Sequence, residues 1–148
     1  ISRRNKQARP VGYAVSEASE NSPWTSRNMG ILGTIVLIFL VIHLKSFWYE
    51  MRFGQLPIAN YDGVGELKDL YSIVAAAFSE WWYVAIYVVS MFGLAFHLSH
   101  GFKSAFQTLG LTHKKYTPLI EAVGRGFAII VPALFALIPL VMFIKSLG

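Results

Sequence analysis

The chain has 148 residues, 55% of them hydrophobic and 15% aromatic but only 14% charged, less charge than a soluble domain normally carries. Its formal net charge is +5 and it has no cysteine, which excludes a disulfide framework and any cysteine-based metal site within the chain. The basic residues flank long apolar runs, so they read as membrane topology signals, and nucleic acid is not an expected partner.

Residues 1–28 form a basic segment, with Arg3, Arg4, Lys6, Arg9 and Arg27 against Glu17 and Glu20. It carries no initiator Met and no signal-peptide pattern. "ISRRNKQARPVGY" looks like the cytoplasmic exit of an earlier helix, so a preceding N-terminal part is expected. Residues 29–148 read as a transmembrane helical domain. Gly30 to Leu44 holds no charge, and a first span is expected at 29–50 if Lys45 snorkels and Phe47, Trp48 and Tyr49 continue the helix. Gly30 and Gly33 suit close packing.

The connection from Glu50 to Glu80 is acidic: Glu50, Asp62, Glu66, Asp69 and Glu80 against Arg52 and Lys68. Within it "LPIANYDGVGE" reads as turns. "LKDLYSIVAAAFSEWW" has Leu70, Ile73, Val74, Ala77 and Phe78 at helical spacing, which predicts a short amphipathic helix along the outer membrane surface. A second span follows at 81–107. The next connection is basic, with Lys103, Lys114, Lys115 and Arg125 against Glu121; it offers a C-cap at Gly110 and Pro118 just before the next helix. The third span is expected at 124–146, with kinks at Pro132 and Pro139. The positive-inside rule puts the two basic segments in the cytoplasm and the acidic connection outside. Trp48, Tyr49, Trp81, Trp82 and Tyr83 then share the outer interface. The expected fold is an all-α membrane bundle of three spanning helices with a short outer interfacial helix.

Histidine inside a span is costly and calls for a partner or a job. His43 lies about 14 residues along the first span, or ~21 Å from its inner end. His97 lies about 16 residues along the second, or ~24 Å from the outer end. In a hydrocarbon core of ~30 Å the two imidazoles sit at levels roughly 15 Å apart. They cannot share one iron, so if both bind metal they hold two centres stacked across the membrane. Neutral imidazole is a haem ligand, and without cysteine the haem would be non-covalent, b-type. Gly93, His97 and Gly101 share one face, and glycines beside a ligand let a flat macrocycle approach the backbone. His100 lies near the inner interface and His113 in a polar loop. The plainer reading of each membrane histidine is a hydrogen bond to a neighbouring helix.

"NKQARPVGY", "SPWTSRNMGILGTIVLIFLVIHL" and "AFHLSHGFKSAFQTLGLTHKKYTPLI" resemble the cytochrome b membrane-anchor subunit of bacterial succinate dehydrogenase and fumarate reductase (succinate:quinone oxidoreductase), in its single-subunit di-haem type. The resemblance covers nearly the whole chain. Family members have five spanning helices and two b haems ligated by histidines on the first four; this chain matches the third, fourth and fifth. The resemblance implies that His43 ligates the distal haem iron and His97 the proximal one, each with a second ligand from helices preceding this chain. It also implies a multi-pass protein of the bacterial inner membrane, electron transfer between succinate or fumarate and a quinone, most simply menaquinone, and two partners: a flavoprotein subunit with FAD and an iron–sulfur subunit. Nothing in the chain resembles a dicarboxylate site, so no catalytic residue is assigned.

Anionic propionates seek cationic or N–H donors, which makes Trp24, Ser26, Arg27 and Lys103 candidates at the cytoplasmic end; their plainer role is interfacial anchoring. Lys45, Trp48, Tyr49, Glu50 and Arg52, just beyond His43, are candidates for a quinone site, with Glu50 passing protons; their plainer role is the aromatic belt and its charged rim. The alternative function, from another class, is a haem-free helical bundle of a transporter or assembly factor that uses its histidines for proton movement or packing.

Overall fold

The structure, a computed structural model, describes residues 2–12, 15, 20 and 22–148; Glu17 of the basic segment lies outside them. The chain folds as helix α1 (Ser2–Ala8), a short α2 (Trp24–Arg27), the long α3 (Met29–Phe53), a hairpin of β1 (Ile58–Tyr61) and β2 (Gly65–Lys68), and helices α4 (Leu70–Phe78), α5 (Trp81–Thr108) and α6 (Thr117–Ser146). As the sequence led one to expect, it is an all-α architecture in which α3, α5 and α6 are each long and apolar enough to cross a membrane. At 25, 28 and 30 residues they measure about 38 to 45 Å, longer than a hydrocarbon core of about 30 Å. Their ends therefore extend into the interfaces. Leu37, Val41, Val89, Phe92, Ile130 and Phe135 face outward, and in a bilayer that surface meets lipid or further helices.

α3 is regular over Met29–His43, π-helical over Leu44–Tyr49, and closes with the turn Glu50–Phe53. A π-turn inserts extra backbone into the helix and rotates everything beyond it. Phe47 faces inward at 7% exposure, while Trp48 and Tyr49 stay exposed. The inward residue nucleates the largest core cluster, Phe47, Phe78, Tyr83, Val84 and Tyr87. α4 supplies Phe78 to it, together with Leu70, Ile73, Val74 and Ala77 at its edge. The apolar face predicted for this helix is thus packed on the spans. Asp69 caps α4 by accepting from the Ser72 backbone N–H at 3.2 Å.

The hairpin occupies the stretch read from the sequence as turns. Ile58 pairs with Lys68 and Tyr61 with Gly65, and Gly63 and Gly65 take positive φ at the turn, where only glycine is unstrained. Its β2 strand is exposed on both faces, so it carries no alternating apolar signal to read. Lys68 reaches from it to donate to the Met51 carbonyl at 2.9 Å, placing a cation on the negative end of α3.

α5 ends in a Schellman motif: Leu111 N–H donates to the Phe106 carbonyl at 3.0 Å and Gly110 N–H to that of Gln107 at 3.1 Å, with Gly110 at φ +68°. The expected glycine cap is therefore present. The third span begins at Thr117, earlier than the predicted 124, because Pro118 sits in the first turn, where its missing N–H has no partner to lose. Pro132 and Pro139 lie inside α6 and are buried.

α5 packs most extensively along α6. At Gly124 a Cβ would collide with the Phe102 ring along its Cδ1–Cε1 edge, so the ring must shift, whereas a Cβ at Gly126 meets nothing within 4 Å. Gly124→Ala is therefore expected to destabilise the folded protein by about 1–3 kcal/mol through overpacking. Gly126→Ala is expected to leave it unchanged or slightly more stable. Thermal unfolding in detergent checks the pair.

Candidate functional site

Helices α3 and α5 run antiparallel, and their contacts define a register. A Cβ at Gly33 would lie 3.7 Å from His97 Cε1, and one at Gly93 would lie 3.1 Å from Ile35 Cγ2. Further along, Phe39 meets Tyr87 edge to face at 5.1 Å, His43 meets Tyr87 at 6.1 Å, and Phe47 meets Tyr83 at 6.5 Å between ring centroids. His97 is thus level with Gly33 and His43 with Tyr87. Both intervals span ten residues, about 15 Å along a helix. The two imidazoles sit at separate levels, by the amount the sequence leads one to expect.

At the outer level the His43 ring lies among Phe39 at 5.7 Å, Phe47 at 5.5 Å and Tyr87. Its Nδ1 is 3.4 Å from the Tyr87 hydroxyl, which is 3.4 Å from that of Tyr83. Spacing of four residues puts Phe39, His43 and Phe47 on one stripe of α3 and Tyr83 and Tyr87 on one stripe of α5. His43 as a whole residue is exposed. Tyr87 was not singled out from the sequence, and Tyr83 was read as part of the interface belt. A phenol at each end of "YVAIY" inside an apolar run was the available signal.

At the inner level His97 is half-buried, and among the described residues no hydrogen-bond partner reaches its buried Nδ1. His97, His100, Gly101, Ser104 and Met29 line an open hollow of about 550 Å³. The two flanking glycines differ. Gly93 is accounted for by helix packing against Ile35, whereas a Cβ at Gly101 meets nothing within 4 Å. An open glycine beside an orphaned imidazole suits a flat ligand seated against this face of α5.

The inner candidates divide. Trp24 packs edge to face on Phe96 at 6.4 Å, beside His97 in sequence. Ser26 is half-buried in α2, and the Arg27 guanidinium donates to the Ser22 carbonyl. Lys103 is on another side: it pairs with Glu121 at 3.2 Å and lines the α5–α6 groove with Phe102 and Gly124. The structure does not bring Lys103 to the hollow beside His97.

The outer candidates divide as well. Lys45 and Glu50 line a hollow of about 380 Å³ with Ile73, Glu80, Trp82 and Tyr83. Trp48 and Tyr49 instead pack on Phe53 at 6.0 and 5.2 Å and are exposed, as is Arg52. Glu80 is the addition that sequence reasoning missed, because it had been counted only toward the charge of the connection. Among the described residues no three His, Asp or Glu side chains converge to hold a bare metal ion.

No family model, no curated protein and no solved structure matches the chain.

The register is open to direct test, because the chain has no native cysteine. Ile35 Cβ lies 3.9 Å from the Cβ position of Gly93, within the span of a disulfide. Ile35→Cys with Gly93→Cys is expected to cross-link on mild oxidation. Ile35→Cys with Gly101→Cys, about 12 Å further along the helix, is not. Gel mobility after protease cleavage between the spans checks both.

Proposed function

We propose that this multi-pass membrane protein is a haem b-binding anchor subunit of a succinate:quinone oxidoreductase in a bacterial inner membrane. The observation that carries the reading is the pair of membrane imidazoles, His43 and His97, held two levels apart on adjacent antiparallel helices. The resemblance of the three quoted stretches supports it. The residues fit such a group: a half-buried imidazole with an orphaned Nδ1 beside an open glycine at one level, and an exposed histidine at the other. His43 and His97 would each hold one haem, together with a residue from elsewhere in the assembly. Two such haems would supply one-electron transfer between an iron–sulfur partner and a quinone, most simply menaquinone, while a flavoprotein partner with FAD handles the dicarboxylate.

The chain's own residues then take defined parts. Gly33 lets α3 approach the edge of His97. Gly101 leaves the flank of His97 clear. Trp24 and Arg27 suit the cytoplasmic end, where a propionate would be neutralised; Lys103, engaged with Glu121, does not. Lys45, Glu50 and Glu80 line a hollow at the outer end of α3 and suit a polar quinone head and its protons.

The test is the pyridine haemochrome spectrum of the purified protein and its variants. Wild type is expected to contain b haem. His97→Ala is expected to lose about half of it, and His100→Ala to lose none, since a replaced axial ligand removes its own haem. A wild-type protein free of haem would favour the alternative bundle, in which the histidines serve packing or proton movement.

A second measurement addresses the outer hollow. In the assembled complex Glu50→Gln is expected to slow quinone-linked turnover by one to two orders of magnitude if it carries protons, a contribution of ~10²-fold being ordinary for a positioned acid–base group. Succinate oxidation by a soluble dye acceptor is expected to stay normal. Unchanged quinone turnover would move the proton path elsewhere.

A further inference from the structure

A neutral imidazole carries one proton, on Nδ1 or on Nε2, and the other nitrogen keeps the lone pair. At His43 the hydrogen-bond neighbours bear on that choice. Nδ1 is 3.4 Å from Tyr87 OH, and Tyr87 OH is 3.4 Å from Tyr83 OH, both longer than the usual hydrogen-bond range of about 2.5–3.2 Å and brought within it by small side-chain rotations. The two phenols are buried, Tyr87 at 6% and Tyr83 at 9% exposure. Tyr83 also lines the outer hollow with Glu50, Glu80 and Lys45.

Each hydroxyl has one hydrogen, so a row of three such groups has a direction. Running outward, His43 Nδ1–H donates to Tyr87, Tyr87 to Tyr83, and Tyr83 to an acceptor beyond. Running inward, Tyr83 donates to Tyr87 and Tyr87 to Nδ1; the imidazole proton then sits on Nε2, which has no lone pair to offer. The hollow at the outer end decides between them. Two carboxylates, acceptors only when ionised, outnumber one ammonium there. An acceptor in that hollow would draw the Tyr83 O–H outward, directly or through water.

We propose that Tyr87, backed by Tyr83, is a positioning residue that holds His43 as the Nδ1–H tautomer and leaves Nε2 free to meet a ligand at the side of the chain. The identity of that ligand rests on the haem reading; the tautomer is a property of these three residues. A metal-binding histidine whose second nitrogen donates to a fixed partner is oriented and made more basic by it. His97 has no equivalent partner among the described residues. The two imidazoles therefore differ in how firmly this chain orients them.

The experiment is nitrogen-15 histidine NMR of the full chain in bilayers, reduced if it contains haem, with the His43 signals assigned by their loss in His43→Gln. Wild type is expected to show a proton on Nδ1, slow to exchange with water. Tyr87→Phe, which keeps the ring and removes the hydroxyl, is expected to speed that exchange roughly fivefold, the scale of one net hydrogen bond. Tyr83→Phe is expected to change it less, in the same sense. A proton found on Nε2, or exchange unmoved in Tyr87→Phe, overturns the proposal. Should Tyr87→Phe fail to accumulate, Tyr83→Phe decides, and no change there overturns it. In a haem-loaded protein Tyr87→Phe should also raise the reduction potential of the His43 centre, by weakening the imidazole as an electron donor. A protein without b-type absorbance but with these exchange results would end the haem reading and leave this one standing. A b-type protein whose Nδ1–H ignores Tyr87→Phe would do the reverse.

Discussion

Everything in this protein hangs on the antiparallel contact between the first and second spans. In lipid there is no hydrophobic force to bring two helices together, so their approach depends on surfaces that fit. Here the fit comes from glycine set against a side chain at two successive points, Gly33 against His97 and Ile35 against Gly93. Beyond them interlocked aromatics, Phe39 and Phe47 against Tyr87 and Tyr83, complete it. The glycine end brings the helices close, and the aromatic end interlocks ring against ring. Once this register is set, the levels of both histidines follow from helical rise.

The same contact makes the two histidines unlike. His43 sits where the packing is aromatic and contains phenols, so its Nδ1 has a hydroxyl at hand. His97 sits where the packing is by glycine, which brings backbone near but offers no side-chain donor or acceptor, and its Nδ1 is left without a partner among the described residues. One imidazole is oriented from within this chain, and the other depends on whatever occupies the hollow beside Gly101.

Much of this was legible in the sequence because membranes impose simple rules. Charge-free runs marked the spans, and counting along the helices marked the separation of His43 and His97. The apolar positions of Leu70–Phe78 and the glycine cap at Gly110 were visible for equally local reasons. What escaped depends on geometry between segments. The π-turn over Leu44–Tyr49 has no sequence signature. The hairpin is held by backbone bonds and its second strand is exposed on both faces, so no periodicity betrayed it. Gly93 and Gly101 look equivalent at i and i+8, but only the structure separates the one packed on Ile35 from the one left open. Lys103 is equally basic on any face of its helix; its pairing with Glu121 turns it to the third span.

The account's central claim is that the chain supports two separate redox centres, one at each level. A potentiometric titration of the purified protein, followed in the visible α-band, tests it most directly. The account predicts two b-type components, each titrating with one electron, of which one is lost in His43→Ala and the other in His97→Ala. A single component that both variants abolish, or no b-type absorbance at all, would contradict it.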